Sequence, residues 1–219
     1  MSFGSSPLLI ILDFDGTVLE SVDIKTEAFR ELFDSYPERL DEIMAYHLRH
    51  NGISRFVKFK YIYEEILVVP FDDRLREDAA RRFSAAVFQR VVECPLVAGA
   101  ENFLKRVTLR LPTFLVSASP EEELIRVVTA RGLAGHFRGV FGSPTAKLEH
   151  ARRILAREAV SPHAAVYIGD SVEDYRVAQE LEIPFIGRRN KETLEEIQGP
   201  VYPDLVGVEA EISARLAKR

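Results

Sequence analysis

Asp13 and Asp15 stand two residues apart, with Gly16 and Thr17 directly after them and an unbroken apolar run, residues 8–12, directly before. Such a run is expected of a strand buried on both faces of a parallel sheet. Side chains alternate along a strand, so the two carboxylates point one way while Phe14 points into the core. Two carboxylates at a strand end repel unless a cation sits between them. Gly16 would let the backbone approach a ligand closely. The plainer reading is a turn, for which Asp and Gly are ordinary residues.

Three more groups follow short apolar runs. Ser117-Ala118-Ser119-Pro120 closes the run at 113–116 and precedes a helix-length segment. Hydroxyls and backbone N–H groups at a helix start make an anion site. The plainer reading is that Ser119 caps the helix with Pro120 at its first position. Lys147 follows Ser143-Pro144-Thr145-Ala146 after the run at 139–141; taken alone it would be a solvated lysine. Gly169-Asp170-Ser171-Val172-Glu173-Asp174 closes the run at 164–168. Asp174 lies one helical turn past Asp170 and can face the same point, although acids are common in a first helical turn. One shared site explains all four groups, whereas four unrelated caps would have to coincide.

The elements that must position these residues alternate. Runs at 8–12, 113–116, 139–141, 164–168 and 184–186 are separated by helical spacing at 121–130, 146–157 and 172–181. This predicts an α/β fold with a doubly wound, Rossmann-like parallel sheet. Residues 20–92 differ, with helical periodicity only and breaks at Pro37, Asn51-Gly52 and Pro70. Four short helices there predict a small helical bundle inserted as a cap, with residues 1–19 and 93–219 forming the core. Eleven of the 21 aromatic residues fall in the insert, enough for an apolar core of its own. Residues 95–99 read as the return linker.

Composition excludes several classes. The chain has 219 residues, 47% apolar and 29% charged, which is globular. A net charge of −5 does not suit a nucleic-acid binder. One cysteine, Cys94, allows no intrachain disulfide. The first apolar run is far short of a membrane span, and no basic stretch precedes it as in a signal peptide. A soluble, cytoplasmic protein is expected.

Together these motifs resemble the haloacid dehalogenase superfamily, whose pattern is Asp-x-Asp-x-Thr, a Ser or Thr, a Lys, and Gly-Asp-x-x-x-Asp. The chain matches with Asp13-Phe14-Asp15-Gly16-Thr17, Ser117, Lys147 and Gly169-Asp170 with Asp174. The insert resembles the helical cap of the phosphoglycolate phosphatase and beta-phosphoglucomutase branch, and Ser117-Ala118-Ser119 resembles the latter's phosphate loop. The resemblance implies a hydrolase of small phosphate monoesters, a sugar phosphate or a phosphoglycolate-like compound, working through an aspartyl-phosphate. It implies Asp13 as nucleophile, Asp15 as general acid and base, and Lys147 as a catalytic charge. Mg²⁺ would be held by Asp13, the Asp15 main-chain carbonyl and Asp170, with Asp174 holding a metal-bound water or orienting its neighbours. Gly16, Thr17, Ser117, Ala118 and Ser119 would bind the phosphoryl group. The retained Asp15 disfavours dehalogenase and phosphonoacetaldehyde hydrolase chemistry. Leu148 after Lys147, where relatives often have proline, is a departure.

In the cap, residues 43–63 contain no acid but hold Arg49, Arg55, Lys58 and Lys60 with His47 and His50. Gly52-Ile53-Ser54-Arg55 resembles the beta-phosphoglucomutase cap loop, which implies that Arg55 contacts substrate; the alternative is a solvated basic face. Lys25, near the cap hinge, is expected to face solvent rather than substrate. A small phosphorylated metabolite is the expected partner, with no nucleic acid and no membrane. Two alternatives stand beside the phosphatase: a phosphosugar mutase, and a non-catalytic phosphate-binding regulatory module.

Overall fold

A computed structural model describes residues 9–190 and 197–217; Leu8, placed by the sequence in the first strand, lies outside them. β1 (Leu9–Leu12) is followed by α1 (Val22–Leu32), α2 (Leu40–Arg49), α3 (Arg55–Tyr61) and α4 (Asp73–Glu93). Then come α5 (Ala100–Val107), β2 (Thr113–Pro120), α6 (Glu121–Ala130), β3 (Gly139–Ser143) and α7 (Lys147–Glu158). The chain ends with β4 (Ala165–Gly169), α8 (Val172–Glu180), β5 (Phe185–Arg188), β6 (Val201–Tyr202) and α9 (Leu205–Leu216). The strands form one parallel sheet in the order β3-β2-β1-β4-β5-β6.

β1 is flanked on both sides: Ile10 pairs with Thr113 and with Val166. Alternation sends Ile10 and Leu12 to one face, with Phe103, Leu124 and Leu205 of α5, α6 and α9. Leu9 and Ile11 go to the other, with Ile154 of α7 and Val177 of α8. Both faces are therefore dry, which is why β1 reads as a continuous apolar run. The chain winds from β1 outward through β2 and β3, then returns to the opposite side of β1 with β4. That reversal opens a crevice at the carboxyl ends of β1, β2 and β4, where doubly wound sheets bind ligands.

Pro37, Asn51-Gly52 and Pro70 all fall between helices. Ser54 and Asp72 cap α3 and α4, accepting from Phe56 N and Leu75 N. α3 continues into a π-type turn, Ile62–Ile66. Two details differ from expectation. α4 is not short: at 21 residues it carries Ala79, Phe83, Val87 and Val91 on one buried stripe back to the sheet. Nor is the insert's apolar core separate. Phe29, Phe33, Phe59 and Phe83 belong to the same cluster as Phe14, Val18 and Val97. α1 and α4, the two ends of the insert, pack on each other, so their apolar stripes join the two regions. Among the described residues no helix is long and apolar enough to cross a membrane.

Candidate active site

Asp13 follows β1 and is anchored through its backbone, Asp13 N donating to Ile168 O of β4 at 2.9 Å. The residue is 2% exposed. Oδ1 accepts from Lys147 Nζ at 2.6 Å and Oδ2 from Thr17 Oγ1 at 3.4 Å. The same ammonium donates to Asp174 Oδ1 at 2.8 Å. Lys147 opens α7, and Leu148 beside it does not turn it away. Asp170 follows β4; it accepts from Thr17 Oγ1 at 3.4 Å and from Asn190 Nδ2 at 2.5 Å.

One oxygen from each of Asp13, Asp170 and Asp174 lies within 4.8 Å of the others. Three buried carboxylates face one ammonium, and their titration reflects it. Burial, with the charges of Asp174 and Asp15, pushes Asp13 up to about 7 against the pull of Lys147. Burial and the charges of Asp13 and Asp174 hold Asp170 well above the carboxylate range. An all-oxygen, charge-rich set of this kind fits a hard divalent cation.

Asp174 fits a different role from direct ligation. Its oxygens accept from Lys147, from Tyr167 OH at 3.1 Å, and from Ser171 N and Oγ at 3.2 and 2.5 Å. Four donors fill a carboxylate's acceptor sites. Ser171 and Asp174 form a reciprocal capping box on α8, so Asp174 orients Lys147. Gly16 and Thr17 are also carried behind the cleft wall. At φ +81° Gly16 lies against Asp170, whose Oδ2 is 2.0 Å from where a Cβ would stand. Gly16 thus makes room for Asp170 rather than for a ligand.

Asp15 points into the crevice. It accepts from Ser21 Oγ at 2.7 Å, Ser119 Oγ at 2.9 Å and Ser117 Oγ at 3.2 Å, and it pairs with Lys25. Burial pushes its carboxyl up, but the Lys25 charge and the hydrogen bonds from Lys25, Ser21 and Ser119 outweigh burial and hold it below the usual range. One sequence expectation is corrected here, and one of the plainer readings is ruled out. Lys25 does not face solvent: its Nζ also donates to Ser119 Oγ at 2.7 Å. It lies one turn before buried Phe29, on the inward side of α1. Ser119 does not cap α6, since β2 runs on to Pro120, and Pro120 takes the cap position.

A cleft of about 630 Å³, counting its open mouth, lies above this floor. Asp13, Asp15, Ser117, Ala118, Ser119, Lys147 and Asp170 line it from below; Lys25, Phe29, His47, Arg55, Lys58 and Phe83 line it from the helices. Arg55 is 7% exposed, and its guanidinium pairs with Glu123 of α6 at 2.7 Å. The basic window is therefore divided. His47, Arg55 and Lys58 are buried, while Arg49 and Lys60 are exposed.

Sequence reading did not single out Ser21, Glu123, Tyr167 or Asn190. The Ser-x-x-Asp spacing of Ser171 and Asp174 was a usable signal. Tyr167 was hidden inside an apolar run, and Asn190 reaches Asp170 from a separate loop.

A doubly wound sheet with an acidic cluster and a buried lysine at its carboxyl edge, covered by inserted helices, defines an α/β enzyme built around a strand-end aspartate. The family model for haloacid dehalogenase-like hydrolases matches residues 10–188, and the chain belongs to that family. No curated protein matches the sequence. Several solved structures share the fold. A hydrolase from Pseudomonas syringae is 17% identical with a TM-score of 0.78, covering 94% of this chain and 98% of its own. A predicted phosphoglycolate phosphatase from Haemophilus somnus is 12% identical, TM-score 0.74, covering 95% and 99%. A variant of CbbY from Rhodobacter sphaeroides, in complex with xylulose-1,5-bisphosphate, is 16% identical, TM-score 0.71, covering 92% and 98%.

Proposed function

We propose that this chain is a phosphatase that hydrolyses a small phosphomonoester through an aspartyl-phosphate on Asp13, with residues 20–92 acting as a cap over the core. The observation that carries the reading is the placing of two carboxylates. Asp13 is clamped between Lys147 and Thr17 at the cleft floor. Asp15 is aimed into the same cleft by three serines and Lys25.

In the first step an Asp13 oxygen bonds to phosphorus and the ester P–O bond breaks, with Asp15 giving the leaving oxygen its proton. In the second, Asp15 takes a proton from water as the water oxygen bonds to phosphorus, releasing phosphate and restoring the Asp13 carboxylate. Lys25 keeps Asp15 ionised, the state a base needs. The proton then on Asp15 leaves to solvent, as its lowered pKa requires, and one is taken up again with the next substrate. Lys147, Ser117 and the Ala118 N–H neutralise the oxygens of the transferring group, where positioned charge counts most. Asp13, the Asp15 main-chain carbonyl and Asp170 would hold Mg²⁺, which supplies further charge neutralisation. A small soluble phosphorylated metabolite is the partner this cleft suits, and Arg55 is placed to meet its far end.

The test is phosphate release from a panel of metabolite monoesters with and without Mg²⁺, for wild type and Asp13→Asn. Mg²⁺-dependent release that Asp13→Asn abolishes supports the reading. A sugar bisphosphate accumulating in place of free phosphate would make the protein a mutase. No turnover of any ester would leave a phosphate-binding module.

A further inference from the structure

Arg55 and Lys58 are three residues apart on α3, both line the cleft, and each is less than a tenth exposed. Residues at that spacing share a helix face, so one face of α3 turns two buried cations toward the cleft. Arg55 draws one counter-charge from Glu123, yet its Nε is buried without a hydrogen-bond partner among the described residues.

Lys58 is held by a relay. Its Nζ lies 4.9 Å from the centre of the Phe29 ring and 3.2 Å from His47 Nδ1. His47 Nε2 lies 3.1 Å from Thr26 Oγ1. An ammonium only donates, so Nδ1 accepts and Nε2 carries the proton that goes to Thr26. The imidazole is thereby neutral, with its ring fixed from α1. The relay crosses α1, α2 and α3 and ends with a positive charge on the cleft wall. Buried cations that line a cleft favour an anionic ligand, because a charge–charge contact is stronger out of water.

We propose that Lys58 is a specificity-determining residue. With Arg55 it receives a second anionic group, carboxylate or phosphate, on the same ester whose phosphoryl group goes to Asp13. His47 is its positioning residue. This rests on the reading of the cleft as a phosphate-ester site.

The test uses non-hydrolysable probes, so it does not depend on turnover. Calorimetric titration in Mg²⁺ compares 3-phosphonopropionate, which has a second anion, with propylphosphonate, which does not. The dianionic probe should bind wild type tighter by roughly 10- to 100-fold, the range of a charge-assisted hydrogen bond. Lys58→Met, which keeps the apolar stem over Phe29, should collapse that ratio toward one. His47→Gln, which can still accept from Lys58 and donate to Thr26, should keep most of the ratio, and His47→Leu should lose it. The histidine pair also carries the test if Lys58→Met fails to fold. A wild-type ratio near one, or a ratio untouched by Lys58→Met, overturns the second anion contact while leaving the phosphate site standing. Binding of neither probe overturns the reading of the cleft and the inference with it.

Discussion

One ammonium decides the charge balance of the cleft floor. Burial disfavours the charge on Lys147, but Asp13 and Asp174 outweigh burial and hold its pKa well above the lysine value. It is therefore a permanent charge beside Asp13. Lys147→Met should lower kcat for phosphate release on the order of 10²–10³-fold; an unchanged kcat would reduce Lys147 to a structural counter-ion. His47 is the opposite case. Burial, and then the Lys58 charge beside it, push His47 down to about 2. The unfolded chain takes up a proton below the ordinary histidine value of 6.5, and the folded His47 refuses it. Its contribution to stability is therefore complete above pH 6.5 and is lost as pH falls toward 2. Between pH 7 and 5, Tm should fall more steeply for wild type than for His47→Gln. Parallel slopes would show that His47 protonates in the folded state. The motif residues were legible because strand-end spacing alone gathers them. Lys25 and Lys58 were not, although Lys25 precedes Phe29, and Lys58 precedes Ile62, by one turn on a buried face. An apolar stripe shows which side of a helix is buried, but not whether a cleft opens along its border.

Among the elements, the ends of β1, β2 and β4 and the starts of α7 and α8 do the positioning. α8 matters most, because its first turn holds Asp174, and Asp174 holds Lys147. The loop between α2 and α3 also leans on that turn: Gly52, at φ +87°, leaves Ser171 Oγ only 2.4 Å from where a Cβ would stand. Ser171→Ala removes the helix cap and one of the four donors to Asp174, the hydroxyl, while the backbone N–H stays. It should cost about 1 kcal/mol of stability in denaturant unfolding, with a loss of kcat beyond what that small destabilisation explains. Full activity would show that Asp174 needs no second anchor. Five strands and the helices between them followed from hydrophobic period. α5, α9 and β6 did not. α5 shows a helical stripe of Ala100, Phe103, Leu104 and Val107, but it follows the return linker without a strand before it. β6 is only two residues long, too short for any period to register.

At the scale of the whole molecule, a shared apolar core ties the inserted helices to the sheet, while the acidic floor works against that cohesion. Three carboxylates gathered within 4.8 Å repel one another, and a divalent cation between them would relieve that repulsion. Mg²⁺ at about a hundred times its dissociation constant should raise Tm by about 5–10 °C over protein in chelator, given the size of this chain. Asp170→Asn should remove most of the shift. A Tm indifferent to Mg²⁺ in wild type would show that the cluster is balanced by protonation instead.

Glu123 gives the cleft a resident competitor. It comes from α6, takes a hydrogen bond from Ser84 at 2.7 Å, and occupies the guanidinium of Arg55. Any solute anion that engages Arg55 fully must first displace a carboxylate already tethered there at high local concentration. Weak, abundant anions lose that contest; a ligand held at its other end by Asp13 and Lys147 can win it. On the proposed reading of the cleft, Glu123 is a threshold that keeps ambient salts from idling there. Glu123→Gln should make sulfate a better competitor of turnover, seen as a fall of several-fold in its inhibition constant, and an unchanged constant would show that the pair only braces α3 against α6.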